Sequence, residues 1–357
     1  MARMKRRIKT RRIRLEASTA CQLRCRACPT AQGVVGKKIG TGFLRFPDFK
    51  KLVDENPWIS RIELSNWGEI FLNPDLAKII EYAHRKNVRL LAKNGVNLNT
   101  VKDEALEALV KYRFHMLSVS IDGASQETYS IYRVRGNFDD VIANVKRINH
   151  FKKQYRSRYP KLRWQFVAFG HNEHEIDKAR QMARELGMKF YLKLNWEDLY
   201  TDTFSPVHDE ELIRRESARG AASRSEYEEE HGEAYKTKTC TQLWVDPVVN
   251  YDGRVLGCCI NHWGDFGHVE KDGLAGGLTS EKIEYAKQML LGRSPAREDI
   301  PCTTCDVYET MQKNERWLRP GEIKFKRDPG RFWNMLRNKA LPATMDAVHR
   351  VFRPGAS

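Results

Sequence analysis

The sequence predicts an α/β chain, either a partial (β/α)6 barrel or an open doubly wound sheet, followed by a small cysteine-rich domain. Three observations carry this. Short β-rich runs alternate with amphipathic stretches from residue 12 to about 195, the pattern of a parallel sheet with helices outside. A polar segment then interrupts the alternation from residue 201. Beyond it, the five cysteines Cys240, Cys258, Cys259, Cys302 and Cys305 are gathered between residues 240 and 310. A chain of 357 residues suits one large domain and a smaller one.

The elements follow in order. Residues 1–11 form a basic N-terminal arm, and 12–200 the barrel. Its expected strands are 12–18 (RIRLEAS), 61–66 (RIELSN), 88–92 (VRLLA), 114–120 (FHMLSVS), 163–169 (RWQFVAF) and 189–194 (KFYLKL). Helical periodicity covers 75–86, 103–112, 138–156 and 173–187. Residues 201–239 form a polar connector, read as a solvated helix from its Ala and Glu content. The cysteine-rich domain spans 240–310, and 311–357 form a basic amphipathic tail. In either sheet architecture, ligands gather at the carboxyl ends of the strands.

The net charge of +16 belongs to the two ends. Residues 1–14 hold eight Lys/Arg and no acid; residues 311–357 hold eleven Lys/Arg and four acids. The body between is nearly neutral. No apolar run approaches the ~20 residues of a membrane span, and no signal-peptide pattern opens the chain. A cytoplasmic location follows by default, and there eight cysteines point to metal ligands or reactive thiols rather than disulfides.

Residues 18–30 read STACQLRCRACPT, placing Cys21, Cys25 and Cys28 just beyond the first strand. Zinc usually takes four ligands as paired hooks, whereas three thiolates on one loop can hold three irons of a 4Fe–4S cluster and leave the fourth open. This C-x3-C-x2-C loop after the first strand resembles the radical S-adenosylmethionine (radical SAM) superfamily. The resemblance implies a partial (β/α)6 TIM-like barrel. It also implies a cluster on Cys21, Cys25 and Cys28 whose open iron chelates S-adenosylmethionine and cleaves it reductively to a 5′-deoxyadenosyl radical. Other positions follow one at a time. In SNWGEIFLNP (65–74), Gly68 and Glu69 match the family's Gly-Gly-Glu stretch, with Trp67 replacing the first glycine. Glu69 would accept a hydrogen bond from the cofactor's ammonium group. KNG (93–95) resembles Thr-Asn-Gly, which assigns Asn94 and leaves Lys93 as the departure. SVSIDGA (118–124) assigns Ser120 to the cofactor's carboxylate or ribose. YRVRGNF (132–138) supplies an arginine for that carboxylate, Arg133 by alignment, with Arg135 as its neighbour. Ala27 stands where the family usually has an aromatic residue.

The stretch 243–259 (LWVDPVVNYDGRVLGCC) reads as a β-hairpin around NYDG, and Cys302 and Cys305 form a C-x2-C hook. This domain resembles the twitch domain, the shortened relative of the SPASM domain. The resemblance assigns Cys240, Cys258, Cys302 and Cys305 to one auxiliary 4Fe–4S cluster; a zinc ribbon is the alternative. Cys259 is left over, either a small buried hydrophobe or, as in radical epimerases, a hydrogen-atom donor.

The expected function is therefore oxidation or epimerisation of a small polar substrate, sugar-like or lipid-linked. A reductant such as flavodoxin or ferredoxin would serve as partner. His171 and His262 are candidate substrate contacts. A ribosomal-peptide maturase is a second reading, lowered because only about a dozen residues precede the first strand. A zinc-bearing nucleic-acid-binding protein that uses its basic ends is a third. The helices expected in 331–353 dock on the protein itself, on an anionic membrane surface or on nucleic acid.

Overall fold

The computed structural model describes residues 10–195, 204–231, 235 and 239–327. Its centre is a parallel sheet built from β1 (Arg12–Leu15), β2 (Arg61–Glu63), β3 (Arg89–Val96), β4 (Met116–Ser120), β5 (Lys161–Ala168), β6 (Lys189–Leu194) and β7 (Val248–Val249). The order across the sheet is β6-β5-β4-β3-β2-β1-β7. The first six strands run in sequence, as a partial (β/α)6 barrel requires. The seventh comes from the cysteine-rich region, Arg14 and Leu15 pairing with Val248 and Val249.

Each crossover carries helices on one face. The helices α1 (Val34–Ile39) and α2 (Phe46–Glu55) precede β2, and α3 (Leu76–Arg85) precedes β3. Next come α4 (Asp103–Lys111), then α5 (Gln126–Tyr132) and α6 (Phe138–Gln154), then α7 (Ile176–Glu185). Their apolar stripes bury the outward-facing strand residues; Ile13, Ile62, Leu117, Val119, Trp164 and Phe166 are each at most 1% exposed. Full burial of such a side chain stabilises by about 1.5–3 kcal/mol. Caps begin the helices where the sequence turns polar: Ser125 Oγ accepts from Thr128 N–H at 3.3 Å, and Asn137 Oδ1 from Asp140 N–H at 3.2 Å.

A parallel sheet covered on both faces by helices would read as continuous apolar runs. Here the strands alternate, because the concave face is a polar lumen. Arg14, Glu63, Ser118, Arg163 and Gln165 point into it, while Ile13, Ile62, Leu117 and Trp164 point out. Between Ala92 and Val96 the β3–β4 register slips, so Lys93–Gly95 bulge out of the ladder at the strand's upper end.

Several boundaries differ from the sequence expectation. The first strand ends at Leu15, since Glu16 and Ser18 turn inward to polar partners. Within 243–259 the hairpin is shorter than expected: Gln242–Val245 form helix α10, and reciprocal bonds between Val248 and Gly257 (3.3 and 3.1 Å) close the turn. The described part of the connector holds α8 (Glu210–Glu216) and α9 (Arg224–His231). Beyond the hairpin lie α11 (Val269–Gly277), α12 (Glu281–Leu290), α13 (Asp306–Lys313) and α14 (Pro320–Arg327). The N-terminal arm 1–9 and the amphipathic segment 331–353 lie outside the described residues. Among the described residues, no helix is long and apolar enough to cross a membrane.

Candidate active site

All eight cysteines are free thiols, and they form two groups. Cys21, Cys25 and Cys28 sit on the loop between β1 and α1, at the carboxyl end of the sheet. A turn from Cys28 N–H to Cys25 O (3.1 Å) curls the loop. Leu23 and Cys25 pack with Tyr132, Val167 and Phe169, and Cys21, Cys28 and Phe204 lie against them. This apolar box pushes the Cys21 thiol up to about 12 through burial, and Cys25 upward for the same reason. Two side-chain donors reach the sulfurs: Arg133 Nη1 lies 3.5 Å from Cys25 Sγ, where its charge opposes burial, and Asn97 Nδ2 lies 3.6 Å from Cys21 Sγ. Donors aimed at sulfur beside an apolar wall suit thiolates bound to a cationic metal centre.

The positions expected to surround the cofactor are brought to this same edge. Gly68 is required by close approach: a Cβ there would fall 2.4 Å from Ser18 O and 2.6 Å from Ala20 O. Glu69 follows, 2% exposed, with Oε2 accepting from Asn97 N–H at 2.5 Å and Oε1 from Phe71 N–H at 3.2 Å. Burial raises its carboxyl to about 7 despite these bonds. Asn94 donates from Nδ2 to Ser65 O (2.9 Å) and Asn66 Oδ1 (3.0 Å). Gln165 Nε2 bridges Asn94 O and Ser120 Oγ, each at 3.3 Å. Gly95 has φ +125°, and a Cβ on it would lie 2.2 Å from Ser120 Oγ, so only glycine passes here.

Arg133 arrives already engaged. Its Nε donates to Asp122 Oδ2 at 2.6 Å, and the Asp122 side chain is 0% exposed. Asp122 Oδ1 also accepts from Val167 N–H at 2.7 Å. Arg133 thus bridges a buried carboxylate to the Cys25 sulfur. Arg135 is exposed, on left-handed backbone with φ 71°. Ala27 is half-buried on the loop. Asp122 and Asn97 were missed as site residues. Asp122 stood inside the quoted SIDGA stretch, whereas Asn97 follows KNG with nothing in its spacing to mark it.

The second group is a cavity of about 330 Å³ whose lining includes Cys240, Cys258, Cys259, Cys302 and Cys305. Burial holds the Cys240 thiol up at about 12 and drives Cys258 and Cys302 upward as well. Cys259 borders this cavity rather than the barrel lumen alone. Its backbone is gripped from both sides: its N–H donates to Gln242 Oε1 (3.0 Å), and its carbonyl accepts from Asn66 Nδ2 (3.0 Å). Through Asn66, the Asn94 side chain and the Cys259 carbonyl are two hydrogen bonds apart. His262 stacks edge-on with Trp67 at 5.7 Å across the same seam. His171 lies on the far side of the cysteine loop, stacked on Phe169 at 5.3 Å with Nδ1 2.8 Å from Ser205 Oγ. Among the described residues, no group of three or more His, Cys, Asp or Glu is arranged as a cage for a single metal ion.

Residues 15–156 match the Radical SAM superfamily, a span that contains the cysteine trio and every cofactor position above. The chain is 31% identical over 186 residues to the AdoMet-dependent heme synthase of Methanosarcina barkeri, a match covering 51% of this chain and 49% of that protein. The chain therefore spans about half the length of this curated relative. Two solved structures share the fold. Streptococcus suis SuiB bound to its precursor peptide SuiA superposes with a TM-score of 0.56 at 12% identity, covering 84% of this chain and 70% of that one. Native anSMEcpe with bound AdoMet gives 0.56 at 14% identity, covering 91% of this chain and 99% of that one.

Proposed function

We propose that this protein is a radical S-adenosylmethionine enzyme that uses a second, auxiliary 4Fe–4S cluster to complete an oxidation or epimerisation of a small polar substrate. The observation that supports it most is the meeting of three loop thiols in an apolar box with the Arg133–Asp122 pair and the Glu69–Asn97 bond. In this reading Cys21, Cys25 and Cys28 would hold the cluster, which with bound S-adenosylmethionine and one electron from the reductant would supply a 5′-deoxyadenosyl radical. Glu69 is pinned at both oxygens by backbone N–H groups, which fixes where it can receive the cofactor's ammonium group. Ser120, Asn94 and Gly68 shape the bed beside it. Arg133, anchored by Asp122, keeps a cation beside Cys25 and can turn its remaining N–H groups to the cofactor's carboxylate. The apolar wall of Tyr132, Val167 and Phe169 buries Cys25 and packs against the two half-buried thiols.

Cys240, Cys258, Cys302 and Cys305 would hold the auxiliary cluster in the 330 Å³ cavity, with Cys259 beside them as the candidate hydrogen-atom donor. A reduced flavodoxin or ferredoxin would deliver the electron. The peptide-maturase reading has the shared fold of SuiB and anSMEcpe behind it and nothing residue-specific. The test is anaerobic reconstitution with iron and sulfide, then dithionite and S-adenosylmethionine. 5′-Deoxyadenosine and methionine should appear, and should vanish in Cys25→Ala; a colourless, zinc-loaded protein without cleavage would refute the reading.

A further inference from the structure

The lumen below the cofactor tier is strongly cationic, and the function proposed so far does not use that charge. Arg163 rises from β5 into it. Its Nε donates to Ser118 Oγ at 2.8 Å, its Nη2 to Lys93 O at 2.9 Å, and its guanidinium lies 4.6 Å from the Tyr191 ring centroid. The head group is thereby fixed in direction, and none of these partners is an anion. Lys93 sits on the bulge directly above. Burial, and then Arg61 with Arg163 and Arg12, push its ammonium below the ordinary range, with Glu63 opposing. Burial likewise lowers Arg163. Glu63 is a carboxylate that acts on both cations, and its Oε1 is already held by Lys93 N–H (2.7 Å) and Ser65 Oγ (2.8 Å). It also faces Arg14 across the β1–β2 ladder. Arg14 is met by Asp246 at 3.0 Å, so among the described residues Arg163 and the exposed Lys93 share Glu63, which leaves positive charge beside a half-buried guanidinium that a bound anion would balance.

Resting on the radical-enzyme reading, we propose that Arg163 and Lys93 bind the substrate through a carboxylate or phosphate group, one tier beneath Asn94, Gly95, Ser120 and Gln165. The placement follows from contact. Gln165, two residues beyond Arg163 on the same face, touches Ser120 and Asn94, so a substrate anchored on Arg163 extends upward toward the cofactor positions. The free edge of a guanidinium held at its other donors suits a two-oxygen anion. Tyr191 supplies a flat wall beside it.

The test is calorimetric titration of the full-length reconstituted protein, saturated with S-adenosylmethionine so that the cofactor's own carboxylate position is filled. The probes are citrate, inorganic pyrophosphate and the uncharged trimethyl ester of citrate. Citrate or pyrophosphate should bind and the ester should not; whichever anion binds more tightly identifies the source of the charge. Arg163→Gln and Lys93→Gln should each weaken anion binding roughly tenfold or more, and Arg163→Lys should weaken it less than Arg163→Gln. Equal binding of ester and citrate, no binding of either anion at millimolar concentration, or unchanged binding in both glutamine variants overturns the inference. Cleavage of S-adenosylmethionine is followed in parallel. Cleavage without anion binding refutes this inference and leaves the radical reading standing; anion binding by a protein that loads no cluster does the opposite.

Discussion

Replacing Asp122 by asparagine tests the electrostatic support of the cysteine loop. The Asp122 side chain is 0% and that of Arg133 15% exposed, and their bond is 2.6 Å. Removing one partner of a buried pair costs about 3–5 kcal/mol, because it strands the other charge. Asparagine keeps an acceptor for Val167 N–H, which Oδ1 now takes at 2.7 Å, so the expected loss is about 3 kcal/mol. That is roughly a hundredfold shift in the folding equilibrium. Urea denaturation of the apoprotein, followed by circular dichroism under anaerobic conditions, measures it. The double variant Asp122→Asn/Arg133→Gln should be more stable than Asp122→Asn alone, since the stranded guanidinium is gone. The reasoning is refuted if Asp122→Asn costs less than about 1 kcal/mol, as an exposed pair would, or if the two substitutions simply add.

Other residues carry sharp expectations. Burial raises the Glu16 carboxyl from 4.5 to about 8, so the folded state holds a proton that the unfolded state releases. Wild-type stability should therefore be fullest below pH 4.5 with respect to this group and fall as pH rises toward about 8. Denaturant melts across that range should show Glu16→Gln with a flatter profile, ahead of wild type by a few kcal/mol at the alkaline end; parallel profiles would contradict it. Gly68→Ala drives a methyl into two backbone carbonyls, so it should cost about 1–3 kcal/mol and lower bound iron, read by thermal melting and iron analysis. Cys302→Ser should abolish the auxiliary cluster and Cys259→Ser should preserve it, as judged by iron and sulfide content. Loss of that iron in Cys259→Ser would place Cys259 among the ligands.

The six sheet strands were legible because each buries its alternate residues under a helix, which imprints period two. The same alternation, R-I-R-L-E at 12–16, already carried the cationic lumen. Its meaning emerged only from register, which sets Arg14 beside Glu63 and Ser118 beside Arg163. Strand β7 was hidden: two valines have no period, and their partner Arg14–Leu15 lies more than two hundred residues away. Helices α1 and α2 went unread inside the long connection after the cysteine loop. The cysteine trio was plain from spacing alone. Arg133 was found as a residue but not with its partner, since its bond to Asp122 spans the α5 turn. Asn97 reaches Cys21 because the bulge at Lys93–Gly95 rotates the end of β3, which no local pattern announces.

The central claim is that Cys21, Cys25 and Cys28 hold an iron–sulfur cluster with one iron open to S-adenosylmethionine. Low-temperature electron paramagnetic resonance of the dithionite-reduced, reconstituted chain tests it most directly, in a Cys302→Ser background that silences the auxiliary site. The reduced-cluster signal should change shape when S-adenosylmethionine is added and be absent in Cys21→Ala/Cys25→Ala/Cys28→Ala. A signal indifferent to S-adenosylmethionine, or one that survives loss of the three cysteines, would contradict the account.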